Sequence, residues 1–527
     1  MAHISQIAAQ SGDSVAFIDD ATGQRIRFGA LEALINQTAR FLIAQGVRPG
    51  GNIAFCLPND LSHVVLILAA QRTGAYYTMI PSKSSLRDVA FFVEDCGAPL
   101  LITGAGMFDA QPLANALPAQ TRVLMLDGPE LAYGDSLAAL VAPHPPHPHP
   151  EFRTGTQMSY SSGSTGKPKG IRTPLPDRPW NAPDPRNERA AADSGLDGTA
   201  VFLNTSPIYH SAPHRFVCAA LSAGATVVSM RHFDALAALK AIEKYRCTHG
   251  LWVPTMFHRL LSLPKEQRER YDLSSIRSAI HGAAPCPIAT KEAMIAWWGP
   301  VLDEYYSGTE GIGNAIISSK EWLQHKGSVG RPLHCTAHIL DDNDNELPTG
   351  EVGGIYFDSP ASFSYWNAAE KTKASISRQG WKTFGDLGYV DADGYLYLTG
   401  RRSFTIISGG VNLYPQEIEA ALIACPDVVD AVVIGLPDPD FGERAVALIN
   451  LRDGLQPTTR TLAAIKQRLR DELGSIKTPK AFHFIRTPLH NDSGKVQRPK
   501  LIEAFLKGAV AEWPVLETES GAIDNGQ

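Results

Sequence analysis

No Cys-x-x-Cys pair occurs in this sequence: its seven cysteines, Cys56, Cys96, Cys218, Cys247, Cys286, Cys335 and Cys425, are scattered and odd in number. Buried thiols in a reducing cytoplasm are therefore the expectation. Long apolar runs are also missing. The most apolar stretch near the start, Val64 to Ala70, is far too short to span a bilayer. The opening residues Met1-Ala2-His3-Ile4-Ser5 lack a basic region followed by an apolar core, so no signal peptide is expected. A surplus of positive charge is absent too: the formal charge is −6. That gives neither a basic footprint for nucleic acid nor a polybasic membrane patch, although net charge does not describe a single cleft. No internal repeat is evident.

With 44% apolar and 19% charged residues, the chain reads as packed and globular. At 527 residues it exceeds what one core usually covers, so at least two domains are expected. Leu31, Leu34, Ile35 and Leu42 fall on one helical face, which Gly46 stops. Strands are expected at Asn52 to Leu57, Leu100 to Thr103, Val123 to Leu126 and Thr226 to Met230. This alternation predicts layered α/β sheets with much parallel pairing. Ala142 to Pro150 holds five prolines and three histidines, His144, His147 and His149. Prolines between the histidines keep the chain extended and prevent convergence on one ion, so a stiff surface linker is expected. Pro174 to Pro185 is a second proline-rich loop, with Trp180 inside it. Beyond Arg401 come strands at Ala431 to Ile434 and Ala445 to Leu451 and a helix from Thr461 to Leu473. These predict a small α+β C-terminal domain behind a short hinge. The polar tail from Glu517 to Gln527 is expected to fray.

Five short motifs carry the chemistry. The first is Tyr160-Ser161-Ser162-Gly163-Ser164-Thr165-Gly166-Lys167-Pro168-Lys169-Gly170. Its glycines allow close backbone approach, its hydroxyls and N–H groups can donate to phosphate oxygens, and two lysines add charge. It is not a Walker A loop, because the GxxxxGK[ST] spacing is absent. The second, Tyr305-Tyr306-Ser307-Gly308-Thr309-Glu310, offers a ring for a base and a carboxylate for a magnesium ion. Next, Gly385-Asp386-Leu387-Gly388 and Thr399-Gly400-Arg401-Arg402 bracket a hairpin signal, Asp391-Ala392-Asp393-Gly394. An aspartate between small residues can accept both hydroxyls of a ribose. Ile407 to Asn412 contains the turn Gly409-Gly410, and Asn491 to Arg498 places Lys495 on a tight turn.

In order and spacing these motifs resemble the acyl-CoA synthetases and 4-coumarate-CoA-ligase-like members of the adenylate-forming superfamily, from about Ser14 to Leu501. That superfamily also holds luciferases and nonribosomal peptide adenylation domains. The resemblance implies an α/β fold: a large N-terminal domain of stacked sheets with a β-barrel-like portion, residues 1–402, and a small mobile α+β lid, residues 403–527. It implies two half-reactions using ATP, Mg2+ and coenzyme A, with a small-molecule carboxylic acid as substrate. Acid and ATP give acyl-adenylate and pyrophosphate, and a thiol then displaces AMP.

Carried over by motif, Ser161, Ser162, Gly163, Ser164, Thr165, Gly166, Lys167 and Lys169 should embrace the phosphates. Tyr306 should stack on adenine beside Gly282, Ala283 and Ala284. Thr309 should touch phosphate and Glu310 should bind magnesium. Asp386 and Arg401 should hold the ribose. Lys495 should bridge the carboxylate and the α-phosphate. His210 matches an aromatic gate to a thiol tunnel that Gly409 and Gly410 line. The acyl pocket is expected around Phe216, Trp252 and Met256, a roomy apolar cavity with no lysine or arginine near it except Arg215. A second substrate carboxylate is therefore not obviously matched, and the runs Tyr209 to Pro213 and Val253 to Met256 resemble those of bacterial synthetases for medium- or long-chain, aromatic or steroid-side-chain acids, so the resemblance implies an acid of that kind. The family usually carries Asp or Lys two residues after the ribose arginine. Here that hinge position is Ser403, so the usual charge is not expected to be essential. A cytoplasmic location is expected, with a homodimer left open. The alternative is a stand-alone protein that loads a carrier-protein thiol.

Overall fold

The computed structural model describes residues 2–127, 133–161, 168–452, 454–490 and 495–514. The frayed tail expected at 517–527 and residues 162–167 of the first motif lie outside the described residues.

A thirteen-stranded sheet forms the spine of the N-terminal unit. Its first half is built on parallel pairing: Val15–Asp19, Thr226–Ser229, Val201–Asn204, His249–Trp252, Ser278–His281 and Leu302–Ser307. Arg25–Arg27 closes that edge with an antiparallel pairing to Val15–Asp19. From Leu302–Ser307 onward every pairing is antiparallel, through Asn314–Ser318, Ser328–Pro332, Leu396–Arg401, Asp386–Val390 and Gly353–Asp358 to Thr336–Leu340. This antiparallel half runs as an open series of strands where a barrel-like portion was expected.

A second, five-stranded parallel sheet runs Arg122–Leu126, Leu100–Gly104, Asn52–Cys56, Tyr76–Met79, Thr156–Gln157. Strand Leu100–Gly104, paired on both edges, is buried along its whole length, as a parallel strand covered on both faces must be. Helix Phe28–Ala44 buries Leu31, Leu34, Ile35 and Leu42, the face set by their spacing, against helix Leu61–Ala70 and the sheets. Strand ends in this unit move by only a residue from the sequence reading, whereas Ala431–Ile434 widens to Val428–Asp438 and Ala445–Leu451 to Gly442–Leu451.

The histidine–proline stretch is fastened down rather than free. Helix Phe28–Ala44 donates to its carbonyls: Asn36 to Pro146 O at 2.9 Å, Gln37 to His144 O at 3.0 Å, Arg40 to His147 O at 3.0 Å and Pro148 O at 2.9 Å. Proline keeps its carbonyls exposed to such donors while lacking an N–H of its own. The backbone of the strap makes these bonds, so replacing His144, His147 and His149 with Ala should leave activity within about twofold in steady-state kinetics.

The C-terminal unit has its own cores, one around Ile418, Leu422, Val433, Ala447 and Leu469, another around Val432, Val446 and Ile485. Hairpin Ile406–Ser408/Val411–Leu413 turns through Gly409 (φ 58°) and Gly410 (φ 81°). Two successive positive φ values demand a glycine-type turn. The helix expected from Thr461 spans Thr459–Lys477, kinked at Gly474 (φ 76°, ψ 173°). Among the described residues no helix is long and apolar enough to cross a membrane.

Candidate functional site

Ligands of parallel α/β sheets bind beyond the carboxyl ends of the strands, where the strand pattern changes. Here Asn204, Trp252, His281 and Ser307 end parallel strands on the side of a single cavity of about 1420 Å³, next to the switch to antiparallel pairing. Ser307 leads directly into Thr309 and Glu310, and His281 into Gly282, Ala283 and Ala284. A Cβ on Gly282 would meet the Tyr305 carbonyl oxygen at 2.6 Å, so the segment packs tightly on its neighbour strand. Ala283 takes φ 69°, a conformation costly for a residue with a side chain and one that clusters at functional sites.

Asp386 and Arg401 are direct cross-strand partners. Arg401 Nε donates to Asp386 Oδ1 at 2.6 Å, and Tyr306 Oη donates to Asp386 Oδ2 at 2.7 Å. Burial first, then the Asp386 charge, pushes the Tyr306 phenol far above its ordinary value, so it stays a donor. The Tyr306 ring packs against Phe357 and Phe384 at 6.2 and 5.8 Å between centroids and also lines the cavity. A carboxylate offers about four lone-pair sites, so Asp386 keeps capacity for further donors.

Glu310 is nearly buried, and Tyr365 Oη donates to its Oε1 at 2.7 Å. Lys371 Nζ lies 4.1 Å from the centroid of the Tyr365 ring. Burial and then the charge of Lys169 lower the Lys371 pKa to about 8, with Glu310 opposing. Ser211 Oγ donates to Thr309 Oγ1 at 3.3 Å. Ser161 pairs with Lys169 across strands Ser159–Ser161 and Lys169–Arg172, and Ser162, Gly163, Ser164, Thr165, Gly166 and Lys167 lie outside the described residues.

Lys495, from the C-terminal unit, reaches the same cavity. It is open to the cavity space yet enclosed by surrounding protein. That enclosure and then Arg401 lower its pKa, and Glu310 opposes them. Four cationic side chains, Lys169, Lys371, Arg401 and Lys495, thus gather around two carboxylates, Glu310 and the Arg401 partner Asp386, an excess of two positive charges. Such a field suits a polyanion.

His210 is the residue before helix Ser211–Ser222, its ring tilted on Tyr209 at 4.6 Å, and it lines the cavity. Phe216 and Trp252 line it too, although Trp252 is mostly packed against Phe257 and Trp298. Met256 does not. Its Sδ accepts from Thr205 Oγ1 at 3.3 Å inside the core, because helix Pro254–Ser262 turns that position inward. Gly409 and Gly410 do not line the cavity either. Their turn is held by Gly409 N donating to Phe441 O at 2.8 Å. Ser403 sits in a short 3-10 turn, Arg402–Phe404, at the cavity wall. Tyr365 and Lys371 were not singled out from the sequence. No local pattern marks them, since each acquires its partner across the fold.

The expectation of no basic side chain near the acyl region beyond Arg215 needs correction. Arg178 and Arg186 of the 174–194 segment stand beside Arg215 and line the same cavity.

Family comparison agrees with this geometry. Residues 4–366 match the AMP-binding enzyme family, and residues 417–495 match the AMP-binding enzyme C-terminal domain. A sulfoacetate–CoA ligase of Cupriavidus necator is 30% identical over 506 residues, covering 94% of this chain and 96% of that protein. A feruloyl-CoA synthase of an Amycolatopsis species is 30% identical over 487 residues, covering 92% and 94%. The crystal structure of ATP-bound MatB from Rhodopseudomonas palustris superposes with a TM-score of 0.79 at 26% identity, covering 95% and 99%. With both halves of the family matched over nearly its whole length, the chain belongs to the AMP-binding enzyme family and is an AMP-forming acid–thiol ligase of the acyl-CoA synthetase kind.

Proposed function

We propose that this enzyme converts a carboxylic acid with an apolar body to its acyl-adenylate at the cavity described above, and then passes the acyl group to free coenzyme A. The observation that carries the reading is the convergence of Lys495 from the C-terminal unit with Arg401 and Glu310 from the N-terminal unit. In the first step a carboxylate oxygen attacks the α-phosphorus of ATP, and the bond to the bridging oxygen breaks to release pyrophosphate. The nucleophile is already ionised, so no general base is required. The obstacle is like-charge repulsion, which Lys495, Arg401, Lys371 and Lys169 offset while the site fixes the approach. Asp386 accepts from the ribose, and Tyr306 borders the base beside Ala283 and Ala284. In the second step the thiol attacks the acyl carbonyl and AMP leaves.

Glu310 suits a magnesium ion, because Tyr365 occupies Oε1 and the carboxylate keeps acceptor capacity at Oε2. Such an ion supplies charge neutralisation on the phosphates. Phe216, Tyr305 and Trp252 in the wall support an apolar acyl body. The acceptor is tested directly. Acid-dependent AMP release should saturate with coenzyme A, and activity confined to a phosphopantetheinylated carrier protein would overturn that part.

The proposed lid, residues 403–527, pivots at Ser403. Proline fixes φ near −65° and removes an N–H. Ser403→Pro should therefore spare adenylation, read by pyrophosphate exchange, more than thioester formation. Ser403→Ala and Ser403→Asp should stay active in both, because backbone freedom is what the pivot uses. An unchanged ratio of the two rates in folded Ser403→Pro protein would move the pivot elsewhere.

A further inference from the structure

Three guanidinium groups share one carboxylate on the acyl side of the cavity. Asp184 Oδ2 lies 3.1 Å from Arg178 Nη2, 3.1 Å from Arg186 Nη2 and 3.9 Å from Arg215 Nη1. Asp184 is also the N-cap of helix Pro185–Ser194, accepting from Arg186 N at 2.9 Å, so its position is fixed by the helix it starts. Arg215 Nη1 donates to Asn187 Oδ1 at 2.8 Å, a neutral partner that takes none of its charge. Arg178 Nε is buried with no acceptor. Behind the cluster, burial first and then Arg215 and Arg186 hold His214 far below its ordinary pKa. Its ring is therefore neutral, and Tyr77 Oη lies 3.0 Å from its Nε2. Glu188, one turn along the helix from Asp184, does not line the cavity.

The four charged residues sum to two positive charges in excess at a partly enclosed wall. The side chains of Arg178, Arg186 and Arg215 are 20%, 40% and 25% exposed, and all three line the cavity. Charged groups removed from water are normally paired, and arginine is suited to planar oxyanions. Placement adds the second half of the argument. Arg215 stands one helical turn, about 6 Å along the axis, beyond Ser211, which bonds Thr309 at the reacting end. Between the two ends on helix Ser211–Ser222, Ala212 and Pro213 present apolar surface to the cavity.

We propose that Arg178, Arg186 and Arg215 form a second anion site, and that the acid this enzyme activates carries a distal oxyanion group, a carboxylate or sulfonate, on an apolar body. The inference rests on the adenylation reading above and narrows its substrate. A phosphate of coenzyme A has the same chemistry, so the test separates the two sources. Pyrophosphate exchange needs no coenzyme A. It is measured with straight-chain monocarboxylic acids of four to ten carbons and with the α,ω-dicarboxylic acids of the same lengths.

The expected result is a kcat/KM at least tenfold higher for a dicarboxylic acid than for the monocarboxylic acid of equal length. In Arg215→Gln that ratio should fall at least tenfold, while exchange with the monocarboxylic acid changes less than threefold. Arg178→Gln, on a loop, serves as the second variant should Arg215→Gln fail to fold. A wild-type ratio at or below one across the series overturns the proposal, as does an unchanged ratio in a folded variant. A raised KM for coenzyme A in the thioester step, with the acid ratio intact, assigns the arginines to the coenzyme and overturns the acid assignment. No exchange with any acid, including sulfonated, aromatic and branched ones, would instead remove the adenylation reading itself.

Discussion

Lys495→Ala should reduce acyl-adenylate formation by about 10²–10³, yet largely keep thioester formation from preformed acyl-adenylate. The lysine enters a site already holding Arg401, Lys371 and Lys169, where enclosure and Arg401 lower its pKa and Glu310 counters. A cation held there against its own electrostatic preference is positioned for an anion that arrives with substrate. Its removal relieves repulsion in the free protein, so thermal stability should not fall. The check is a pair of assays on one preparation: pyrophosphate exchange, and AMP release from synthetic acyl-adenylate plus coenzyme A. Equal losses in both would make the lysine structural.

Glu310→Gln should lower ATP-dependent turnover by about 10²-fold, on the scale of losing one charge-stabilising group, with folding intact. The substitution is nearly isosteric, and its amide oxygen can still accept from Tyr365, whose hydroxyl bonds Oε1 at 2.7 Å. Only the negative charge is lost. That charge raises the pKa values of Lys371, now at about 8, and of Lys495. Without it both ammonium groups lose their protons at lower pH. The alkaline limb of the pH–rate profile should therefore move toward neutrality, and the requirement for added magnesium should weaken or be lost. A variant with wild-type turnover and magnesium dependence would contradict the role given to Glu310.

Helix Phe28–Ala44 was legible because a half-exposed helix writes its buried face into the sequence at 3.6-residue intervals. The hairpin at Asp391–Gly394 was legible because its turn chemistry is local: Gly394 N donates to Asp391 O at 3.0 Å. Motif positions Asp386, Arg401, Glu310 and Lys495 reach one cavity although the chain between them is long. Tyr365 and Lys371 were illegible. Tyr365 meets Glu310 across 55 residues, and no local period or turn records that meeting. Met256 shows a second limit. Helix Pro254–Ser262 buries Pro254, Met256, Phe257 and Leu260, and sequence alone does not say which of these looks into a cavity and which into solid core. Arg178 and Arg186 show a third. A proline-rich segment that reads as an ordinary loop sets two cations on one wall with Arg215 of helix Ser211–Ser222.

The pairing of Val15–Asp19 with Thr226–Ser229 bears on how the chain is made. Thr226 Oγ1 donates to Val15 O at 2.7 Å across 211 residues of chain. A ribosome adding about 5–20 residues per second needs roughly 10–40 s to deliver the partner strand. Throughout that interval, of the two sheet neighbours of the first strand, Val-Ala-Phe-Ile-Asp, only Arg25–Arg27 has been made. Arg25 and Arg27 are exposed on that short outer strand, where charge discourages a stray strand from docking on the sheet's edge. Arg25 and Arg27 thus guard only the outer edge, and the opposite edge of Val15–Asp19, which Thr226–Ser229 takes in the finished sheet, has no such charged strand beside it until that partner is made. Replacing Arg25 and Arg27 with apolar β-formers would uncover the outer edge of the finished sheet, so the loss should appear as aggregation of folded protein, read by light scattering, at unchanged activity per soluble molecule.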